Sequence, residues 1–149
     1  MNYQDIVLEA TDGKSYALKD FKKKIVLFFY PKDNTPGCST QAQEYTMYKD
    51  EFEKNNAIVI GVSRDSIASH HKFIESKDLN ILLLSDSEEK LCKAFDVIKE
   101  KTMFGKTAFG IERSSFILDE DANIIEEYRK VKAPGNAKAM LDRIIELNK

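Results

Sequence analysis

The most constraining stretch of this sequence is Ile25-Val26-Leu27-Phe28-Phe29-Tyr30, an unbroken apolar run that stops at Pro31. Successive residues of a strand face opposite sides of a sheet. A run of β-branched and aromatic residues with no polar position at either parity therefore predicts a strand covered on both faces. Ile58-Val59-Ile60-Gly61-Val62-Ser63 repeats the pattern. Between the two, Ala42, Tyr45, Tyr48 and Phe52 recur at spacings of three and four from Ser39 onward, the period of a helix, which Asn55-Asn56 closes. Strand, helix and strand in this order imply a sheet sandwiched by helices.

The flanking segments extend that sandwich. Ile6-Val7-Leu8 and Ser15-Tyr16-Ala17-Leu18 around Thr11-Asp12-Gly13 predict an N-terminal hairpin. Asp65 or Ser66 is placed to cap a helix carrying Ile67, Phe73 and Ile74. Ile81-Leu82-Leu83-Leu84 suits a strand or a loop, and Ser85-Asp86-Ser87-Glu88-Glu89 starts a helix bearing Leu91, Cys92 and Phe95. Ser114–Leu118 and Ile124–Tyr128 around an acidic turn predict a second hairpin. Pro134-Gly135-Asn136 then opens an amphipathic helix with Ala137, Met140, Leu141, Ile144 and Ile145 on one side. The expected fold class is α/β, a mixed central sheet flanked by helices, in one domain over residues 1–149.

Composition narrows the function classes. With 23 basic and 25 acidic residues the formal charge is −2, which offers no field for gripping nucleic acid or an anionic membrane. No apolar run approaches the roughly 20 residues that span a bilayer. The N-terminal residues show no basic and apolar secretory pattern. Two cysteines make no disulfide scaffold. A cytoplasmic protein with reduced thiols is expected, so any role of those thiols rests on reactivity.

Chemistry concentrates in Phe28-Phe29-Tyr30-Pro31-Lys32-Asp33-Asn34-Thr35-Pro36-Gly37-Cys38. Here a cysteine follows a tight turn at the opening of a helix. Unpaired amides and the positive end of the helix dipole favour thiolate over thiol, and the thiolate is the nucleophile. Thr35, three residues upstream, can aim its hydroxyl at the sulfur or at an oxygen substrate. Pro31 and Pro36 stiffen the loop.

Pro31-x-x-x-Thr35-x-x-Cys38 resembles the peroxiredoxin active-site motif. The eleven residues 28–38 look like the bacterioferritin comigratory protein, or peroxiredoxin Q, subfamily. Gly61-Val62-Ser63-x-Asp65, Leu84-Ser85-Asp86, Gly105-Lys106 and Gly110-Ile111-x-Arg113-Ser114-x-Phe116 extend the likeness along essentially the whole chain. The resemblance implies a thioredoxin-like fold with an N-terminal hairpin. It also implies thiol-dependent reduction of hydrogen peroxide and organic hydroperoxides in antioxidant defence. Cys38 would be the peroxidatic nucleophile, passing through a sulfenic acid. Thr35 would hold the peroxide, Pro31 would shield the pocket, and Arg113 would stabilise the thiolate and polarise the substrate. No metal or organic cofactor is implied. The reductant would be thioredoxin, glutaredoxin or a small thiol such as glutathione, and the assembly a monomer or weak homodimer.

The sequence departs from the subfamily where many members carry a resolving cysteine: Gln43 stands five residues after Cys38, and Ile74 occupies the other usual site. Cys92 is the one other thiol. It reads as a half-buried helix residue and as a possible resolving cysteine, the alternatives being a one-cysteine cycle or an intersubunit disulfide. A non-enzymatic binding protein or peroxide sensor on the same fold is the rival function. His70-His71 reads as a solvent-facing pair without metal-site spacing. Glu88-Glu89 reads as a favourable charge pair at a helix start, and Asp119-Glu120-Asp121 as a turn. Phe95, Met103, Phe104 and Phe109 are candidates for an apolar wall near the active site.

Overall fold

The computed structural model describes residues 2–149. Nine strands and four α-helices follow in chain order: β1 (Leu8–Ala10), β2 (Ser15–Tyr16), β3 (Lys24–Phe29), α1 (Pro36–Lys54), β4 (Ala57–Ser63), α2 (Ile67–Lys77), β5 (Leu82–Ser85), α3 (Lys90–Ala94), β6 (Ile98–Met103), β7 (Lys106–Ile111), β8 (Ser114–Leu118), β9 (Ile124–Tyr128) and α4 (Asn136–Leu147). Seven strands form one mixed sheet in the order β2-β1-β5-β4-β3-β8-β9. β3 runs parallel to β4 and antiparallel to β8, and the N-terminal hairpin joins antiparallel to β5. The Ile81–Leu84 run thus resolves into a strand. Among the described residues no helix is long and apolar enough to cross a membrane.

β3 explains the architecture. Val26, Phe28 and Tyr30 enter one core layer with Cys38, Ala42 and Tyr45 of α1, Phe73 of α2, and Met140 and Ile144 of α4. Ile25, Leu27 and Phe29 enter the other layer with Leu91, Cys92, Phe95, Val97 and Phe116. Each parity of the apolar run serves one layer. On the α1 side Phe28 stacks on Tyr45 with centroids 4.5 Å apart. Gly61 of β4 makes room for that ring: a Cβ there would lie 2.7 Å from both Phe28 and Leu83.

Several local expectations change in the folded chain. α1 begins at Pro36, a favoured first-turn residue, so Cys38 lies inside the first turn. Ser66 caps α2, accepting from the Ser69 amide, while Asp65 turns elsewhere. α3 is only five residues long, and Cys92 on it is fully buried, not half-buried. The Asp86 carboxylate accepts from the amides of Leu91 and Cys92 and so caps that helix. Glu89 pairs instead with Arg64 and Lys93. Residues 98–111 form a separate two-stranded hairpin that the sequence patterns did not announce. Phe104 and Phe109 lie exposed on it and Phe95 packs in the layer away from Cys38, so these three build no wall at the site. The side chain of Met103 lies outside the described parts. Of the two histidines His71 is exposed, but His70 is completely buried, because neighbours on a helix point to different sides.

Candidate active site

The site forms where β3 ends. The Tyr30 amide donates to the Val62 carbonyl, which carries the β3–β4 pairing one residue beyond the strand. Pro31 then stops it, having no N–H to give. Residues 31–35 turn the chain into α1, with Asn34 in the left-handed region at φ 61°. The first intrahelical bond runs from the Ser39 amide to the Thr35 carbonyl at 2.8 Å. The amides of Gly37 and Cys38 therefore stand outside the helix ladder, as first-turn donors do. Thr35 is the N-cap residue, yet its hydroxyl does not cap: it donates to the Lys32 carbonyl at 2.8 Å. Its oxygen lone pairs remain available as acceptors. Pro31 and Thr35 are half-buried, and Cys38 is 1% exposed.

Sheet register brings in Arg113. β8 pairs antiparallel with β3 so that Phe29 faces Ser114 and Phe28 faces Ser115. The residue before β8 therefore lies at the end of β3 from which the loop departs. There Arg113 Nη2 donates to Cys38 Sγ at 3.5 Å, across a separation of 75 residues. Gly37 permits the approach: a Cβ on it would sit 3.1 Å from Arg113 Nη2. The other arm of the guanidinium, Nη1, donates to Gln41 Oε1 at 2.7 Å. A cation fixed beside the sulfur attracts negative charge there. Of the sequence candidates, Cys38, Thr35 and Arg113 converge on one helix turn, with Pro31 at the entrance to the loop. Cys92 sits in the opposite core layer.

The loop is anchored by groups that sequence reading missed. Asp33 is buried, accepts from the Tyr30 hydroxyl at 2.6 Å and from Ser69 at 2.8 Å, and lies 2.7 Å from His70 Nδ1. His70 Nε2 donates to the Leu84 carbonyl at 2.8 Å. The Asp33 amide donates to Asp65, which also accepts from Ser63. Asp33, Asp65 and His70 bring ligand-type atoms within 4.8 Å of one another. The hydrogen bonds just named engage all three side chains, which makes the group a buried anchor for the turn. Burial and the adjacent Asp33 carboxylate push the Tyr30 hydroxyl well above its ordinary pKa, so it stays a donor. The clue in the sequence was Asp33 itself, an acidic residue four positions after the end of a buried strand.

The geometry agrees with what comparison with known proteins shows. Residues 2–127 match the AhpC/TSA family. Peroxiredoxin Bcp of Bacillus subtilis is 44% identical over 97% of this chain and 92% of its own length. Peroxiredoxin Bcp of Xanthomonas campestris is 48% identical over 78% and 73%. The chain belongs to the AhpC/TSA family of peroxiredoxins. A solved structure of the Xanthomonas campestris bacterioferritin comigratory protein, studied for alkyl peroxide reduction, superposes with a TM-score of 0.93 at 40% identity, covering 99% of this chain and 94% of that one. A Xylella fastidiosa PrxQ variant gives 0.94 at 42%, covering 99% and 92%. The fold is therefore thioredoxin-like, with a mixed central sheet flanked by helices, and this peroxiredoxin is a thiol-dependent peroxidase.

Proposed function

We propose that Cys38 is the peroxidatic nucleophile and that the cycle uses this one cysteine. The thiolate attacks one oxygen of a hydroperoxide ROOH. An S–O bond forms, the O–O bond breaks, and the leaving RO⁻ takes a proton to become ROH, or water for hydrogen peroxide. Sulfur is oxidised to the sulfenic acid and the peroxide is reduced. The observation that carries this reading is the Arg113 guanidinium held 3.5 Å from the sulfur at the N-terminus of α1. Arg113 and the free first-turn amides face the charge that develops on the oxygens. Thr35, its own proton committed to Lys32, accepts from the substrate O–H. Pro31 keeps the turn closed against water.

An external thiol R′SH then condenses with the sulfenic acid and releases water. A second R′SH frees Cys38 as R′SSR′ forms. Thioredoxin, glutaredoxin or glutathione fits this role in a cytoplasmic monomer or weak homodimer. Cys92 supports the one-cysteine reading by its position: a disulfide needs Cα atoms within about 7 Å, and the central sheet lies between the two thiols.

The test is non-reducing intact mass after one equivalent of peroxide, with and without a sulfenic-acid trap. The expected product is a trap adduct on Cys38. Loss of two hydrogens without an adduct would make Cys92 the resolving thiol, and a doubled mass would reveal an intersubunit bridge. If neither cysteine oxidises within minutes, the rival of a non-catalytic binding protein or sensor replaces this reading.

A further inference from the structure

Asn136, the first residue of α4, is buried 98 positions from Cys38 in the sequence, yet three donors converge on its side-chain oxygen. Gln41 Nε2 donates to Oδ1 at 3.0 Å, the Tyr45 hydroxyl at 2.6 Å and the Ser115 hydroxyl at 2.9 Å. One of those donors leads to the reaction. Gln41 is fully buried, one turn after Cys38, and its other amide atom accepts from Arg113 Nη1.

The polarity of this chain is dictated by chemistry. A guanidinium has only donors. Gln41 must therefore turn its oxygen toward Arg113, which turns its NH₂ toward Asn136. Only an acceptor at position 136 satisfies that NH₂. If the acceptor is lost, the Gln41 amide has no reason to hold this orientation, and its flipped form sets N–H against N–H at Arg113. Tyr45 and Ser115 pin the Asn136 oxygen from α1 and β8, the two elements that carry Cys38 and follow Arg113.

We propose that Asn136 is a positioning residue for peroxide reduction: through Gln41 it sets the guanidinium of Arg113 on Cys38 Sγ. The proposal rests on the reading of Arg113 given above. It concerns orientation alone, since Asn136 touches neither the sulfur nor the arginine.

The experiment is a set of single-turnover oxidation rates with hydrogen peroxide on full-length variants. Asn136→Leu keeps the branched shape and the number of side-chain heavy atoms while removing the acceptor, and the expected loss in second-order rate constant is about 10- to 100-fold. Asn136→Asp restores an acceptor oxygen to all three donors and should return the rate to within about three-fold of the parent. In an Arg113→Ala background the Leu change should cost nothing further, because the group it positions is gone. If Asn136→Leu does not fold, Asn136→Ala takes its place with the same expectations. An equal loss with and without Arg113 would overturn the relay, as would a folded Asn136→Leu that reacts at the parent rate. A rate that falls in Arg113→Ala but not at position 136 sinks the relay alone. A rate untouched by Arg113→Ala sinks both the relay and the catalytic reading of Arg113.

Discussion

The two cysteines of this peroxiredoxin are almost equally covered, 1% exposed at Cys38 and 0% at Cys92, yet their surroundings are opposite in sign. Cys38 lies on the α1 side of the sheet with a guanidinium 3.5 Å from its sulfur. Cys92 lies on the other side, its amide bonded to the Asp86 carboxylate at 2.7 Å. Burial, and after it the Asp86 charge, pushes the Cys92 thiol far above its ordinary pKa. Exposure therefore does not distinguish the two thiols. The charged group near each one does: a guanidinium at Cys38 and a carboxylate at Cys92.

The sharpest way to break this contrast is to delete each sulfur in turn. Cys38→Ser should abolish peroxide consumption, a loss greater than about a thousand-fold. Cys92→Ala should leave the first oxidation step within about two-fold of the parent and cost about 1 kcal/mol of stability for the lost packing. Peroxide turnover surviving in Cys38→Ser, or a slow first step in Cys92→Ala, would reverse the assignment.

A smaller effect tests the environment of Cys92 through alkaline unfolding. The folded protein keeps this thiol neutral, whereas the unfolded chain ionises it above about pH 8.5. The associated stability is fully present below that pH and falls by about 1.4 kcal/mol per unit above it. Tyr30 and Tyr45, also held neutral by burial, add their own loss above about pH 10 in every variant. Denaturant midpoints of parent and Cys92→Ala should thus converge and then cross, their difference moving by about 2 kcal/mol between pH 8 and 10. A difference independent of pH would show that the fold does not hold the Cys92 proton.

The smallest effect falls on the Cys38 side. Gly37→Ala places a methyl 3.1 Å from Arg113 Nη2, so the guanidinium must shift by a few tenths of an ångström. Alanine is a better helix former, so stability should not fall, while the oxidation rate drops about three- to ten-fold. A variant as fast as the parent would mean that the arginine need not lie so close to the first turn.

How much of this was legible in the chain depends on the range of the interaction. The apolar run from Ile25 to Tyr30, the turn at Pro31 and the period of Ala42, Tyr45 and Phe52 are local signals. They determined a strand buried on both faces, a helix after it, and a cysteine at the helix opening. The motif around Thr35 and Cys38 is local too, and its resemblance to the peroxiredoxin motif is what pointed to the chemistry. His70 was misjudged because pattern alone does not say which of two adjacent helical residues faces inward. The hairpin over residues 98–111 went unseen because its residues are mostly exposed and carry no burial pattern.

Local spacing within a few turns of chain therefore accounts for a cysteine at a helix opening, the elements that present it and the class of fold. The company Cys38 keeps comes from long-range packing. Arg113 reaches Cys38 through the antiparallel register of β8 on β3, Asn136 meets Gln41 where α4 docks on α1, and Cys92 is held away by the sheet itself. Those relations depend on strand pairing and layer packing between segments 50 to 100 residues apart, and no local spacing encodes them.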